Sequence, residues 1–217
     1  MLLCKKQFNI DLGEVCVVTY KNGSDIAIVI LHEVYGVNEH IAKVCRDYCS
    51  CGYDVYCPDL LNLEVPFDYC HQEEAYGNFI NNIGFDVYLK VNKLLEQLRP
   101  KYRIILLIGF SIGATIAWRC SDSGLCNGII GYYGSRIRDY LTISPRCQVL
   151  LMFAENEIHF DAGQIKLSHE QQKYVTIKIM KGDHGFCDTF SDNFNPESSK
   201  EAQELADGFC QNFILAK

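Results

Sequence analysis

Residues 104–118 read Ile-Ile-Leu-Leu-Ile-Gly-Phe-Ser-Ile-Gly-Ala-Thr-Ile-Ala-Trp. An apolar run of strand length passes directly into Gly109-x-Ser111-x-Gly113, and the residues after it fit a helix. A strand that is apolar throughout, rather than alternating, is buried on both faces and belongs inside a covered sheet. A serine on so sharp a strand-to-helix turn is pushed into a strained conformation with its hydroxyl outwards. The flanking glycines are needed there because a Cβ would collide with the turn. The helix N-terminus adds a positive field, and its backbone amides, notably that of Ile112, can meet an oxyanion formed when Ser111 attacks a carbonyl. A phosphate cradle does not fit these glycines, because the Lys-Ser/Thr pair of a P-loop is absent and Gly-x-Gly-x-x-Gly does not occur.

Outward from this elbow, similar apolar runs lie at 26–31, 127–132 and 147–153, with the elbow's own strand at 103–109. Further strands are expected at Val15–Tyr20, at Tyr53–Cys57 with Pro58 ending it, and at Tyr174–Met180. Helices fit 38–50 and 111–121. Ala75, Phe79, Ile83, Val87, Val91, Leu94 and Leu98, in steps of three and four, predict a long helical stretch bent near Gly84 and closed by Pro100. A last helix is signalled by Pro196 and by Ser198 with Glu201 as a capping box, ahead of Ala202, Leu205, Ala206, Phe209 and Phe213 on one face. Strands alternating with helices imply βαβ crossovers and a three-layer α/β fold, a mostly parallel sheet with helices on both faces. With 217 residues, 48% hydrophobic and 22% charged, residues 1–217 are expected to form one domain around one core.

The 20 Lys and Arg against 27 Asp and Glu give a formal charge of −7, and with a pI near 5.3 this argues against nucleic acid or an anionic membrane as partner. The opening Met-Leu-Leu-Cys-Lys-Lys lacks the apolar core of a signal peptide, and no segment has the length of a membrane helix, so a cytoplasmic protein is expected. Its 12 cysteines are scattered, and most read as buried free thiols rather than disulfides. Cys45, Cys49 and Cys51 lack zinc-site spacing, and neither a metal nor a cofactor is expected.

A serine hydroxyl needs a histidine base, and that base needs a carboxylate to hold its tautomer; on this type of sheet the three follow in the order serine, acid, histidine. His184, in Lys181-Gly-Asp-His-Gly-Phe186, directly follows a strand and is the expected base. His32, His40, His71, His159 and His169 read as structural or surface residues. For the acid, the segment after Val149–Phe153 offers Glu157, taken as first choice, with Asp161 and Glu155 as alternatives. A second strand end, Ile28-Val-Ile-Leu-His-Glu-Val-Tyr-Gly-Val37, faces the nucleophile across the sheet edge, where the Val34 amide could complete an oxyanion hole. Glu33 there is either a surface carboxylate capping the next helix or a partly buried acid beside Ser111. The polar stretch Phe186–Glu197 is long enough to be an active-site loop.

These motifs together resemble the dienelactone hydrolase family of small α/β hydrolases, from about Val15 to Phe213. His32–Asn38 resembles its glutamate-containing loop, Gly109–Ala114 its elbow, Gly131-Tyr-Tyr-Gly134 its next strand end and Gly182–Phe186 its histidine loop. The resemblance implies an α/β-hydrolase fold, Glu157 as the triad acid, Glu33 touching the nucleophile in the resting enzyme, and Val34 and Ile112 as oxyanion amides. It further implies hydrolysis of a small carboxylic ester, lactone or thioester; the alternative is a non-catalytic ligand-binding protein on the same fold, and either a monomer or a homodimer is expected. Three departures stand out. The name-giving enzymes carry cysteine where this chain has Ser111, and aspartate is the usual acid. They also hold their substrate's carboxylate with arginines, whereas this chain has no arginine between Arg46 and Arg99 and has Asp188 four residues after His184. A neutral or weakly charged ester is therefore expected as substrate.

Overall fold

The structure, a computed structural model, describes residues 2–10, 13–157, 161, 163, 165 and 173–215. Its elements are β1 (Leu2–Ile10), β2 (Gly13–Lys21), β3 (Ile26–Leu31), α1 (Glu39–Ser50), β4 (Asp54–Pro58), α2 (Gln72–Asn78) and α3 (Tyr88–Leu98). They continue as β5 (Ile104–Phe110), α4 (Ile112–Arg119), β6 (Gly128–Tyr132), β7 (Gln148–Ala154), β8 (Val175–Met180) and α5 (Pro196–Leu215). Eight strands form one sheet in the order β1-β2-β4-β3-β5-β6-β7-β8. The pairs β1–β2 and β2–β4 are antiparallel and the other pairs are parallel.

Strand periodicity sorts the core into two halves. Ala27, Val29 and Leu31 of β3, with Ile105 and Leu107 of β5, face Leu94, Leu98, Ile116 and Trp118 of α3 and α4. Ile28 and Ile30, with Leu106 and Ile108, face Ile41 and Cys45 of α1 and Ala202, Ala206 and Cys210 of α5. Every residue of β3 and β5 is buried, which explains their unbroken apolar runs. The result is the expected three-layer fold of the α/β hydrolases. No helix among the described residues is long and apolar enough to cross a membrane.

Two expectations need correction. The helical stretch through residues 75–98 is broken rather than bent: α2 gives way to a π turn over Phe79–Ile83, closed by the Gly84 amide donating to the Phe79 carbonyl at 2.7 Å. Gly84 then takes φ 67°, a left-handed conformation in which glycine alone is unstrained, and α3 restarts after a single 3₁₀ turn at Phe85–Val87. The capping box of α5 does not form either. Asn195 Oδ1 accepts from the Ser198 amide at 3.0 Å, and Pro196 takes the first helical position, so Asn195 is the cap. Ser198 instead donates its hydroxyl to the Lys181 carbonyl at 2.8 Å, fastening α5 to the loop that carries His184. Strand β1, outside every apolar pattern read from the sequence, adds an edge next to β2.

Register does the positioning. Leu31 pairs with Gly109, Phe110 with Tyr132, Tyr132 with Met152 and Ala154 with Met180. The carboxyl ends of β3, β5, β6, β7 and β8 therefore end at one edge, and the loops carrying Glu33, Ser111, Tyr133, Glu157 and His184 leave from it together.

Candidate active site

Ser111 lies between β5 and α4 at φ 52°, ψ −114°, a conformation that costs a non-glycine residue of order 1–3 kcal/mol. It persists because its surroundings over-determine it. A Cβ on Gly109 would stand 2.2 Å from the Gly113 carbonyl oxygen, and one on Gly113 would stand 2.2 Å from that of Leu31. The elbow is thus pressed against itself and against β3 at two points where only glycine fits. The Ser111 amide donates to the Tyr132 carbonyl at 2.9 Å and ties the turn to β6. Ile112 opens α4, so its amide has no acceptor within the helix and is free to face the site.

His184 is held from both sides of its loop. Gly182 at φ 105° and Gly185 at φ 90° turn the chain before and after it, and Phe186, fully buried, anchors the return. Asn193 Nδ2 donates to the His184 carbonyl at 2.8 Å. The acid loop is fastened to the same segment, since the Glu155 amide donates to the Met180 carbonyl at 2.8 Å and the Asn156 amide to that of Gly182 at 3.1 Å.

These loops bring Ser111, His184 and Glu157 into one line. His184 Nδ1 lies 3.0 Å from Glu157 Oε1 and 3.1 Å from Oε2, and Nε2 lies 2.9 Å from Ser111 Oγ. The Glu157 side chain is 5% exposed and that of His184 36%. A carboxylate at Nδ1 keeps the proton on that nitrogen and leaves the Nε2 lone pair to accept from the serine hydroxyl. Burial opposes protonation of His184, but the hydrogen bond and charge of Glu157, with a smaller contribution from Glu33, outweigh it and raise its pKa above the ordinary value. The other two acids stand apart from the imidazole. Glu155 is exposed, and Asp161 is exposed with its Oδ1 accepting from the Gly163 amide at 2.8 Å.

Glu33 is a buried acid, 4% exposed, and does not cap α1; that role falls to Asn38, whose Oδ1 accepts from the Ile41 amide at 3.1 Å. Burial and the neighbouring Asp188 push the Glu33 pKa up to about 7 against the opposing pull of His184 and the Tyr133 hydroxyl. His32 is fully buried and fixes this loop from behind. Its Nε2 accepts from the Leu60 amide at 2.9 Å, so Nδ1 carries the proton and donates to the Glu33 carbonyl at 2.7 Å. Val34 is buried beside Glu33, and the Gly36 amide closes that turn onto the Glu33 carbonyl at 3.2 Å.

His71 is exposed, whereas His159 and His169 lie outside the described residues. Two buried groups that act on Glu33, Tyr133 and Asp188, are not among the residues expected to form the site. Tyr133, at φ 41° and fully buried, packs its ring 4.9 Å from that of His184 and 5.4 Å from that of Phe186. Asp188, expected on an acidic loop, is instead 1% exposed and joined to Tyr69 and His40. The only signals for these were the tyrosine pair in Gly131–Gly134 and the spacing of Asp188 from His184. Among the described residues, no group of three or more His, Cys, Asp or Glu is placed to hold a metal ion.

A strained serine on a strand-to-helix elbow, at the carboxyl edge of this sheet, defines an α/β hydrolase. A sequence profile of the dienelactone hydrolase family matches residues 14–213, and the chain belongs to that family. By class it is a hydrolase of ester bonds. It is 38% identical over 173 residues to an uncharacterized Bacillus subtilis protein, YczH, covering 77% of this chain and 84% of that one. It is 23% identical over 202 residues to a carboxymethylenebutenolidase of a Pseudomonas species, covering 83% of this chain and 82% of that one. Among solved structures, a dienelactone hydrolase-like promiscuous phosphotriesterase from metagenomic libraries superposes with a TM-score of 0.79 at 13% identity, covering 97% of this chain and 98% of that chain. A Klebsiella pneumoniae chain described as a dienelactone hydrolase gives 0.73 at 17% identity, covering 95% and 97%.

Proposed function

We propose that this chain is a serine hydrolase that cleaves a small, neutral carboxylic ester, lactone or thioester through an acyl-enzyme on Ser111. The observation that carries this reading is the unbroken hydrogen-bond line from Ser111 Oγ to His184 Nε2 at 2.9 Å and from Nδ1 to Glu157 at 3.0 Å. His184 takes the Ser111 proton as Oγ attacks the carbonyl, and Glu157 stabilises the imidazolium that forms. The amides of Ile112 and Val34 receive the oxyanion. The imidazolium then protonates the leaving oxygen or sulfur. A water, deprotonated by the same histidine, attacks the acyl carbon, and collapse of the second tetrahedral intermediate frees the acid and restores Ser111.

A neutral substrate fits the charges around this line. The acidic residue Asp188 is buried on the His184 loop, and the chain's formal charge is −7, so an anionic substrate would meet a repulsive field. Tyr35, its ring 4.7 Å from that of Tyr69, lies on the Glu33 loop with Leu63 and Phe67 packed on the same core, an apolar wall suited to an uncharged acyl or alcohol group.

The test is intact mass after exposure to a fluorophosphonate probe, which modifies only activated serines quickly. A single adduct on the unmodified chain that disappears in Ser111→Ala is expected. No adduct, under conditions that label an authentic serine hydrolase, would overturn the assignment in favour of a ligand-binding protein.

A further inference from the structure

Cys126 and Cys147, 21 positions apart in sequence, bring their sulfurs into contact: the two Sγ atoms lie 3.8 Å from one another. Both are free thiols. They sit at the amino-terminal ends of neighbouring parallel strands, Cys126 just before β6 and Cys147 immediately before β7. This is the sheet edge opposite the triad. Strand β7 alone, with 7 residues, puts roughly 20 Å between Cys147 and the loop of Glu157. Each thiol is carried on backbone fixed to a neighbouring element, since the Arg146 amide donates to the Ser121 carbonyl at 2.9 Å and the Asn127 amide to that of Ile105 at 2.8 Å.

The proton arrangement makes Cys147 the nucleophile of the two. Cys147 gives its thiol proton to the Ser121 carbonyl at 3.7 Å, so the hydrogen bond between the sulfurs is donated by Cys126. A thiolate formed at Cys147 keeps that donor, whereas one formed at Cys126 would give it up. The bond from Cys126 accordingly lowers the pKa of Cys147 against the effect of burial, while the same bond, and burial after it, raise that of Cys126 well above an ordinary thiol. Cys120 is the neighbouring competitor, but its Sγ is turned to the Tyr88 carbonyl at 3.8 Å. The pair is covered but shallow: each cysteine is 6% exposed, and Gly124, Arg146 and Gln148 around them are open to solvent. A small oxidant has a short path to it.

We propose that Cys126 and Cys147 are a site of reversible oxidation, at which hydrogen peroxide closes a disulfide between the entries of β6 and β7. The Cys147 thiolate attacks one peroxide oxygen and the O–O bond breaks. Cys147 becomes a sulfenic acid, and the other oxygen leaves as hydroxide, which takes up the proton the thiol released. Cys126 Sγ then attacks the Cys147 sulfur, the S–O bond breaks, and the hydroxyl leaves as water with the Cys126 proton. Two thiols and one hydrogen peroxide give one disulfide and two waters, the sulfurs losing the two electrons that the peroxide gains. Shortening 3.8 Å to the length of a disulfide brings the sulfurs about 1.8 Å closer, less than about 1 Å for each, within reach of rotation about its own Cα–Cβ bond. The new bond restricts the unfolded chain across β6 and lies far from Ser111, His184 and Glu157, so oxidation stabilises the fold and leaves the triad in place.

The experiment treats the folded full-length protein with a slight excess of hydrogen peroxide, blocks the remaining thiols with iodoacetamide in denaturant, and maps tryptic peptides by tandem mass spectrometry without reduction. Cleavage at Arg136 and Arg146 puts the two cysteines on separate peptides, and fragmentation separates Cys126 from Cys120 on the peptide they share. A link between Cys126 and Cys147, released by dithiothreitol, is expected. In Cys126→Ser no link forms and dimedone captures Cys147 as its sulfenic acid, whereas in Cys147→Ser dimedone leaves Cys126 unlabelled. The oxidised chain melts about 5 °C above the dithiothreitol-treated one. Peroxide that consumes the exposed Cys51 and Cys70 while Cys126 and Cys147 stay open to alkylation overturns the proposal. A link from Cys147 to Cys120, or a melting temperature that does not rise on oxidation, overturns it equally. If the serine variants do not fold, the map of the unmodified chain decides by itself. None of these readouts depends on Ser111 acting as a nucleophile, so failure of the hydrolase reading would leave the test intact.

Discussion

Gly113→Ala tests whether the elbow is held by contact or merely tolerates glycine. The added methyl would stand 2.2 Å from the Leu31 carbonyl oxygen, 2.6 Å from the Leu31 carbonyl carbon and 2.7 Å from the His32 carbonyl oxygen. All three are backbone atoms of β3 and its exit, so no side chain can rotate away. An ordinary contact of about 3.5 Å requires α4 and β3 to separate by roughly 1 Å. Overpacking usually costs 1–3 kcal/mol when side chains can give; here only strands and helices can, so a loss of about 3 kcal/mol or more is expected. For a chain of this size that lowers the melting temperature by about 6–12 °C. The same displacement lengthens the 2.9 Å contact between Ser111 and His184, so labelling of the serine by a fluorophosphonate should slow along with unfolding at lower temperature. Gly208→Ala is the control: it lies inside α5 with nothing within 4 Å of the new methyl, and should raise stability by about 0.5–1 kcal/mol. Differential scanning calorimetry of the three proteins decides the point. If Gly113→Ala melts within 2 °C of the unmodified chain and labels at the same rate, the argument from steric closure is wrong.

Two further results are expected. Glu157→Gln should lower kcat by about 10³- to 10⁴-fold with little change in fold, because an amide donor facing Nδ1 favours the tautomer whose Nε2 carries a proton and cannot accept one from Ser111; stopped-flow ester hydrolysis reads it, and a loss below tenfold would exclude Glu157 as the orienting acid. Glu33, raised from its ordinary 4.5 to about 7, is protonated in the native state where the unfolded chain is already ionised. Stability from this group is thus fully present below about pH 4.5 and is lost as pH rises towards 7, a swing of about 3 kcal/mol. Urea melts at pH 5 and pH 8 should show Glu33→Gln gaining about 2–3 kcal/mol on the unmodified chain between the two, and a pH-independent difference would mean that Glu33 is ionised in the folded protein.

What could be read from the sequence was what local constraint dictates. Gly109-x-Ser111-x-Gly113 is legible because the turn it makes excludes a Cβ at two named places, a restriction that acts within five residues and needs no knowledge of the rest of the chain. Glu157 and His184 follow from order along the sheet, since each must leave the carboxyl end of its own strand. Where two local signals compete, the reading fails. Asn195 and Ser198 are both good caps, and only the placement of Pro196 at the first helical position, with Ser198 drawn to Lys181, selects the former. The spacing of apolar residues through 75–98 is correct for burial, yet it cannot register that Gly84 takes a left-handed conformation and divides the segment.

The charge state of the site belongs to a different order of information. Asp188 is anchored by Tyr69 from 119 positions away in sequence and by His40 from α1, and neither partner carries a mark that distinguishes it from a surface residue. Read as a sequence, Asp188 is simply an acidic residue four places after the histidine; in the fold it is a buried carboxyl that accepts from the Tyr69 hydroxyl and the Phe190 amide, with His40 of α1 beside it. Burial, and after it Asp188, push the pKa of Glu33 up, while Glu157 and then Glu33 act to raise that of His184. A cation in place of Asp188 would pull the other way and favour ionised Glu33. The protonation of Glu33 is thus a property of the assembled site, set first by burial and then by a residue 155 positions away along the chain, and no local pattern of sequence encodes it.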